Sequence, residues 1–163
     1  MATVNKNLSN YDPNLVPNAQ GSRFAIITAQ WNEDITYALR DGCIQGLIDN
    51  GCISEDIMCY TVPGAYELCS GAKWALSLDI DAVICIGCVI KGETKHDEYI
   101  SNAVAQGLMD LNTTQDIPII FGVLTPNSHE QAMDRAGGKH GNKGIEAAIT
   151  AIQMVDLSNK IKS

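Results

Sequence analysis

Four apolar runs of strand length mark the chain from residue 24 onward: FAIITAQ (24–30), DIMCYTV (56–62), AVICIGCVI (82–90) and PIIFGVLT (118–125). They lack the sustained alternation of a half-solvated strand, and continuous apolar character is what a strand covered on both faces requires. Between them lie segments with helical spacing at 34–50, where Gly51 acts as a stop, and at 65–78, 97–111 and 128–136; a last helix covers 142–160. Ser128 and Gln131 have the spacing of a capping box. Strand and helix alternating four times predict an α/β fold, a three-layer αβα sandwich around a four-stranded parallel sheet with right-handed crossovers. Ligands of such sheets bind beyond the carboxyl ends of the strands. That edge carries Trp31 and Asn32, the turn at 62–64, the stretch at 89–96, and Leu124 and Thr125.

At 163 residues, 45% of them hydrophobic, the chain has enough apolar material for one core and is short for two. The core domain is expected over 23–163. Residues 1–22 are polar, rich in Asn and carry Pro13 and Pro17, so this arm forms no core of its own and is either partly disordered or packed on another surface. A formal net charge of -8 with no basic run argues against nucleic acid as a partner. The N-terminus lacks the basic and apolar regions of a secretory signal, and no apolar stretch approaches the roughly 20 residues of a membrane span. The expected location is cytoplasmic, without membrane association. Six cysteines sit within apolar segments, and the single CxxC, Cys85 to Cys88, ends a predicted strand instead of opening a helix. Buried, reduced thiols are the expectation.

Against this acidic background, GCVIKGETKH (87–96) and RAGGKHGNKG (135–144) hold five of the eleven Lys and Arg residues and two of the three histidines. Cations set among glycines at loop positions suit a small anion, because free backbone N–H groups and fixed charge both stabilise phosphate. The turn at Lys91 to Thr94 matches neither a Walker sequence nor a dinucleotide fingerprint, yet its amides and the Thr94 hydroxyl could grip a phosphate as a nest. Trp31 could stack on a planar heterocycle, or belong to the core. Glu67 could accept from ligand hydroxyls, or merely complement a helix dipole. His96 is the one histidine at a strand's carboxyl edge, and an imidazole with an unperturbed pKa of about 6.5 can move protons at neutral pH. Arg135 and Lys143 could bind oxyanions, or join Lys139 in a solvated basic face. One pocket with an aromatic platform, a carboxylate, a phosphate cradle and an imidazole accounts for all of these residues together.

At VPGAYEL (62–68), GCVIKGETKH (87–96), FGVLT (121–125), EQAMDRAGGKHGNKG (130–144) and EAAITAIQM (146–154) the sequence resembles the 6,7-dimethyl-8-ribityllumazine synthase family. The resemblance implies a flavodoxin-like fold, assembly into pentamers or hollow icosahedral shells of twelve pentamers, and active sites between adjacent subunits. It implies condensation of 5-amino-6-(D-ribitylamino)uracil with 3,4-dihydroxy-2-butanone 4-phosphate in riboflavin biosynthesis, with release of phosphate and water and with neither metal nor cofactor. By position, Trp31 would stack on the pyrimidine, Ala65, Tyr66 and Glu67 would hold the ribityl chain, and Cys88, Val89 and Ile90 would meet the uracil through backbone. Glu93, Thr94 and Arg135 would bind the phosphate, Lys143 would contact substrate, Phe121 would pack on the ring from the neighbouring subunit, and His96 would transfer protons. The N-terminal arm would pack on that neighbour's sheet, and the absence of an insertion in the RAGGKHGNKG loop leans toward the shell. The chain departs from the family pattern at Trp31 and at Asp97, both usually Phe. A non-catalytic flavin-binding or shell-forming homologue would need none of Glu67, His96 and Arg135 together.

Overall fold

The computed structural model describes residue 7 and residues 9–163. The apolar runs form β1 (Phe24–Ala29), β2 (Ile57–Val62), β3 (Ala82–Cys88) and β4 (Ile119–Leu124). All pair in parallel, in the spatial order β2-β1-β3-β4. The helices are α1 (Glu33–Asp49), α2 (Leu68–Ala75), α3 (His96–Thr114), the short α4 (His129–Met133) and α5 (Lys143–Lys162). Every residue of β1 and β3 is buried, because side chains alternate between two cores. Phe24 and Ile26 meet Ile35, Leu39, Ala148 and Ile152 under α1 and α5, whereas Ala25 and Ile27 meet Leu68, Ala72, Val104 and Leu108 under α2 and α3. Hence the central strands carry no charged residue, and Thr28 is their one polar side chain. β2 is an edge strand, and Cys59, Tyr60 and Thr61 are exposed on it.

The three layers of the α/β sandwich form as the sequence predicts, with strand boundaries shifted by one or two residues; the helical segments differ more. The stretch at 65–78 is a 3₁₀ turn over Ala65–Glu67 followed by the shorter α2. Gly64 stays extended at φ -146°, ψ 178°, and the chain then tightens through a bond from Glu67 N to Gly64 O (3.3 Å), the usual place for 3₁₀ geometry. The segment at 128–136 shrinks to α4, where Ser128 Oγ accepts from Gln131 N (3.2 Å). The capping box is only half made, since Gln131 Oε1 accepts from Asn127 N (3.0 Å). The glycine-rich loop is a hairpin of β5 (Ala136–Gly138) and β6 (Gly141–Asn142), antiparallel, with Gly137 at φ 118° and Gly141 at φ 78°, angles that side chains with a Cβ rarely adopt. Arg135 therefore lies between α4 and β5 instead of within a helix, and Lys143 opens α5.

Residues 9–22 lie against their own chain. Asn142 N donates to Ser9 Oγ (2.8 Å), Asn50 Nδ2 to Tyr11 OH (3.1 Å), and Ala19 N to Asn50 O (2.8 Å). Ala19 is buried in the core beneath α1, so this stretch contributes to packing although its sequence is polar.

α1 and α5 approach closely because small residues face each other. A Cβ on Gly46 would lie 3.0 Å from that of Ala148, and one on Gly144 would overlap the carbonyl oxygen of Leu39. Backbone cannot yield as a flexible side chain would, so Gly144→Ala should cost at least the ~1–3 kcal/mol of ordinary overpacking. Urea unfolding would register this as a lower midpoint at unchanged slope; a midpoint equal to that of the wild type would contradict the close approach.

Candidate active site

Beyond the carboxyl ends of β1, β2 and β3 opens a cavity of about 670 Å³. Trp31, Ala65, Tyr66, Glu67, Cys88, Val89, Ile90, Thr94 and His96 all line it, as do Asn32, Gly92 and Asp97. Nine of the thirteen side chains singled out in the sequence thus meet in one place. Trp31 is 73% exposed, which rules out the core reading of this indole. It sits two residues past β1, where Trp31 N donates to Pro63 O (3.1 Å) and Gln30 N to Val62 O (2.8 Å), so the ends of β1 and β2 are stitched together beneath the ring. Glu67 closes the 3₁₀ turn, half-buried, within van der Waals reach of where a Gly64 Cβ would stand.

The far wall is backbone. Val89 N donates to Leu124 O (2.8 Å) and Lys91 N to Pro126 O (3.0 Å), extending the pairing toward β4 past the end of β3. By strand alternation the N–H and C=O of Ile90 point the opposite way, toward the lane that β1 vacates after Thr28 pairs with Ile86. A planar ring with its own donors and acceptors can pair with an edge of this kind. The turn at Gly92 to Thr94 then leads into α3, and His96 N donates weakly to Thr94 Oγ1 (3.4 Å). His96 is the first residue of α3, and its exposed side chain lines the cavity.

Four expected residues do not line this cavity. Glu93 is exposed on the same turn. Phe121 is the one exposed residue of β4, at 41%. Lys143 Nζ pairs with Glu146 Oε1 (2.5 Å), and Lys139 Nζ with Asp134 Oδ2 (3.2 Å). Arg135 Nη1 donates to Gln131 O (3.0 Å) and, among the described residues, pairs with no carboxylate. The cavity within a single chain thus has the ring platform, the hydroxyl acceptor and the imidazole, but no guanidinium.

The two CxxC thiols lie in different cores, Cys85 under α2 and α3 and Cys88 under α1, so a bond between them is geometrically barred. Burial, and then the Asp34 carboxylate, pushes the Cys88 thiol up to about 12; burial raises Cys85 well above the thiol range. Both stay protonated at neutral pH and are poor nucleophiles. Among the described residues no group of three His, Cys, Asp or Glu side chains could hold a metal ion, and no helix is long and apolar enough to cross a membrane.

Asn32 is the residue that the sequence patterns did not single out for a role. It is the one non-glycine residue with positive φ among those described, at φ 61°, ψ 49°. From this left-handed position its Nδ2 donates to Cys88 O (3.1 Å), tying the end of β1 to the end of β3 under the ring platform. Asn tolerates this region better than other residues with a Cβ, and its place directly after Trp31 at a helix start is the signal that could have revealed it. Asn32→Gly should lose only the hydrogen bond, ~0.5–1.5 kcal/mol, and Asn32→Ala should be destabilised by up to a further ~1–2 kcal/mol, because alanine takes on strain in the left-handed region. Denaturant titrations that rank Ala above Gly would contradict the strained geometry.

The sequence model of the 6,7-dimethyl-8-ribityllumazine synthase family matches residues 21–159. A 6,7-dimethyl-8-ribityllumazine synthase of Flavobacterium psychrophilum is 52% identical over 96% of this chain and 84% of its own length. That of Christiangramia forsetii is 49% identical over 99% and 98%, and that of Phocaeicola vulgatus 48% over 99% and 97%. The family match over residues 21–159 and relatives about half identical over nearly the whole chain show that the chain belongs to the 6,7-dimethyl-8-ribityllumazine synthase family.

Proposed function

We propose that this chain condenses 5-amino-6-(D-ribitylamino)uracil with 3,4-dihydroxy-2-butanone 4-phosphate, giving the lumazine, phosphate and water in riboflavin biosynthesis. The observation that carries the reading is one cavity lined by Trp31, Glu67, Ile90, Thr94 and His96. In this reading the uracil lies over the Trp31 indole with its polar edge on the backbone of Cys88, Val89 and Ile90. Ala65, Tyr66 and Glu67 hold the ribityl hydroxyls. The phosphate rests on Glu93 and Thr94, where backbone N–H groups and the Thr94 hydroxyl suit its oxygens.

Joining an amine to a ketone requires a proton to leave nitrogen and a proton to reach the departing hydroxyl. Phosphate release requires a proton to leave the carbon next to the new C=N bond. His96 at the cavity mouth is the imidazole suited to these transfers, worth roughly 10²–10⁴ in rate. Holding both substrates in contact contributes more, up to ~7–11 kcal/mol in favourable cases. Binding therefore dominates the acceleration.

The guanidinium and the second aromatic face come, in this reading, from an adjacent copy. Arg135 has no carboxylate partner among the described residues, and Phe121 is exposed on β4; Lys143 lies beside Arg135 across the hairpin, with Lys143 N donating to Arg135 O (2.8 Å). Helix α3 leaves room for such a neighbour: of its 19 residues only Val104 and Leu108 are buried against its own chain. A cytoplasmic homo-oligomer, a pentamer or a shell of pentamers, is the form proposed.

Steady-state assay of both substrates with purified protein should show phosphate released with lumazine. His96→Ala should keep measurable turnover while kcat falls, and Arg135→Ala should mainly raise KM for the ketone phosphate. Failure of the wild type to form lumazine would overturn the reading. A His96→Ala protein that binds both substrates and is wholly inactive would overturn the primacy of binding.

A further inference from the structure

The turn proposed to hold phosphate already holds an anion of the chain itself. Asp97 Oδ1 accepts a hydrogen bond from Gly92 N (3.2 Å). Gly92, Thr94, His96 and Asp97 line the same cavity, and Asp97 is half-buried there. The oxygen thus occupies the Gly92 amide, one of the donors that a phosphate oxygen entering this turn would seek. Lys91 and Lys95 face Glu93, Asp97 and Glu98 across residues 91–98, and the local balance is therefore not cationic. A phosphate ester entering this turn meets a carboxylate that it must displace from Gly92 N and then tolerate a few ångströms away.

We propose that Asp97 is an affinity-setting residue, an internal anion that competes with the phosphate group of the ketone substrate for the Gly92 amide. This rests on the function proposed above. A carboxylate that only fixed the turn would do so through its acceptor oxygen, and an amide oxygen can replace that. A competing anion acts through its charge, which an amide lacks. The two roles therefore separate at one substitution: Asp97→Asn keeps the acceptor and removes the charge, whereas Asp97→Ala removes both.

The test measures KM for 3,4-dihydroxy-2-butanone 4-phosphate, KM for the ribitylaminouracil, and the inhibition constant of inorganic phosphate. Asp97→Asn should lower both phosphate constants by about three- to tenfold, the size expected of one unit charge a few ångströms away at a partly solvated site. KM for the uracil should move less than twofold. Asp97→Ala should tighten phosphate at least as much, and the gap between wild type and variants should narrow as salt is raised, because the effect is a screened charge interaction. Phosphate constants that stay unchanged or rise in Asp97→Asn, or a gap indifferent to salt, would overturn the proposal. If Asp97→Asn were insoluble, Asp97→Ala would decide by the same constants. A wild type that forms no lumazine would sink the function itself; an active wild type with unshifted variants would sink only the role of Asp97.

Discussion

Pairing of Ala29 with Val62 and of Thr28 with Ile86 brings β1, β2 and β3 to an end at one edge of the sheet, and every group of the cavity hangs from that alignment. A slip of one residue in either ladder would exchange the two cores, because side chains alternate with a period of two. The apolar faces of both helical layers therefore hold the register, and the register in turn holds the site. Trp31 is fixed by bonds to the end of β2, Asn32 by a bond to the end of β3, and Val89 and Lys91 by bonds to the end of β4. A rigid scaffold with short, mutually bonded loops is how a fold holds reacting partners to the tolerance that proximity demands.

The same geometry explains why a single chain presents an incomplete pocket. No guanidinium lines the cavity beside the turn at Gly92 to Thr94, and the Trp31 indole is 73% exposed. The residues proposed to supply both, Arg135 and Phe121, are on the hairpin side and on the edge of β4. Neither residue lines the cavity of its own chain, which is economical if neighbours exchange them around a ring. Association would then build the chemistry as well as cover apolar surface, and the local excess of carboxylates at residues 93–98 would be offset from the next copy.

How much of this was legible before the structure depended on the range of the interaction involved. The four strands were, because continuous apolar runs have few other uses, and both faces of the central pair are buried. The nine cavity residues were legible as a set, since Cys88 ends a strand and each of the others follows one by one to eight positions. Helix ends were less so: 65–78 opens as a 3₁₀ turn because Gly64 holds the chain extended, and the cap of 128–136 is half made because Gln131 Oε1 accepts from Asn127 N instead of Ser128 N. The β5–β6 hairpin escaped a period-based reading, as strands of three and two residues carry no period. The left-handed Asn32 and the Asp97 contact to Gly92 depend on geometry that only the folded turn supplies. Ala19 in the core is a further case, one apolar residue in a polar stretch whose burial is decided by α1.

A crystal structure of the protein with inorganic phosphate and a ribitylated pyrimidine lacking the reactive 5-amino group tests the account most directly. The pyrimidine should lie over the Trp31 indole with its polar edge on the Ile90 backbone, the phosphate should sit on the turn at Gly92 to Thr94 with Asp97 displaced, and Arg135 should reach it from an adjacent copy. A pyrimidine bound elsewhere, such as the groove between Tyr60 and Trp74, or a phosphate away from that turn, would contradict it.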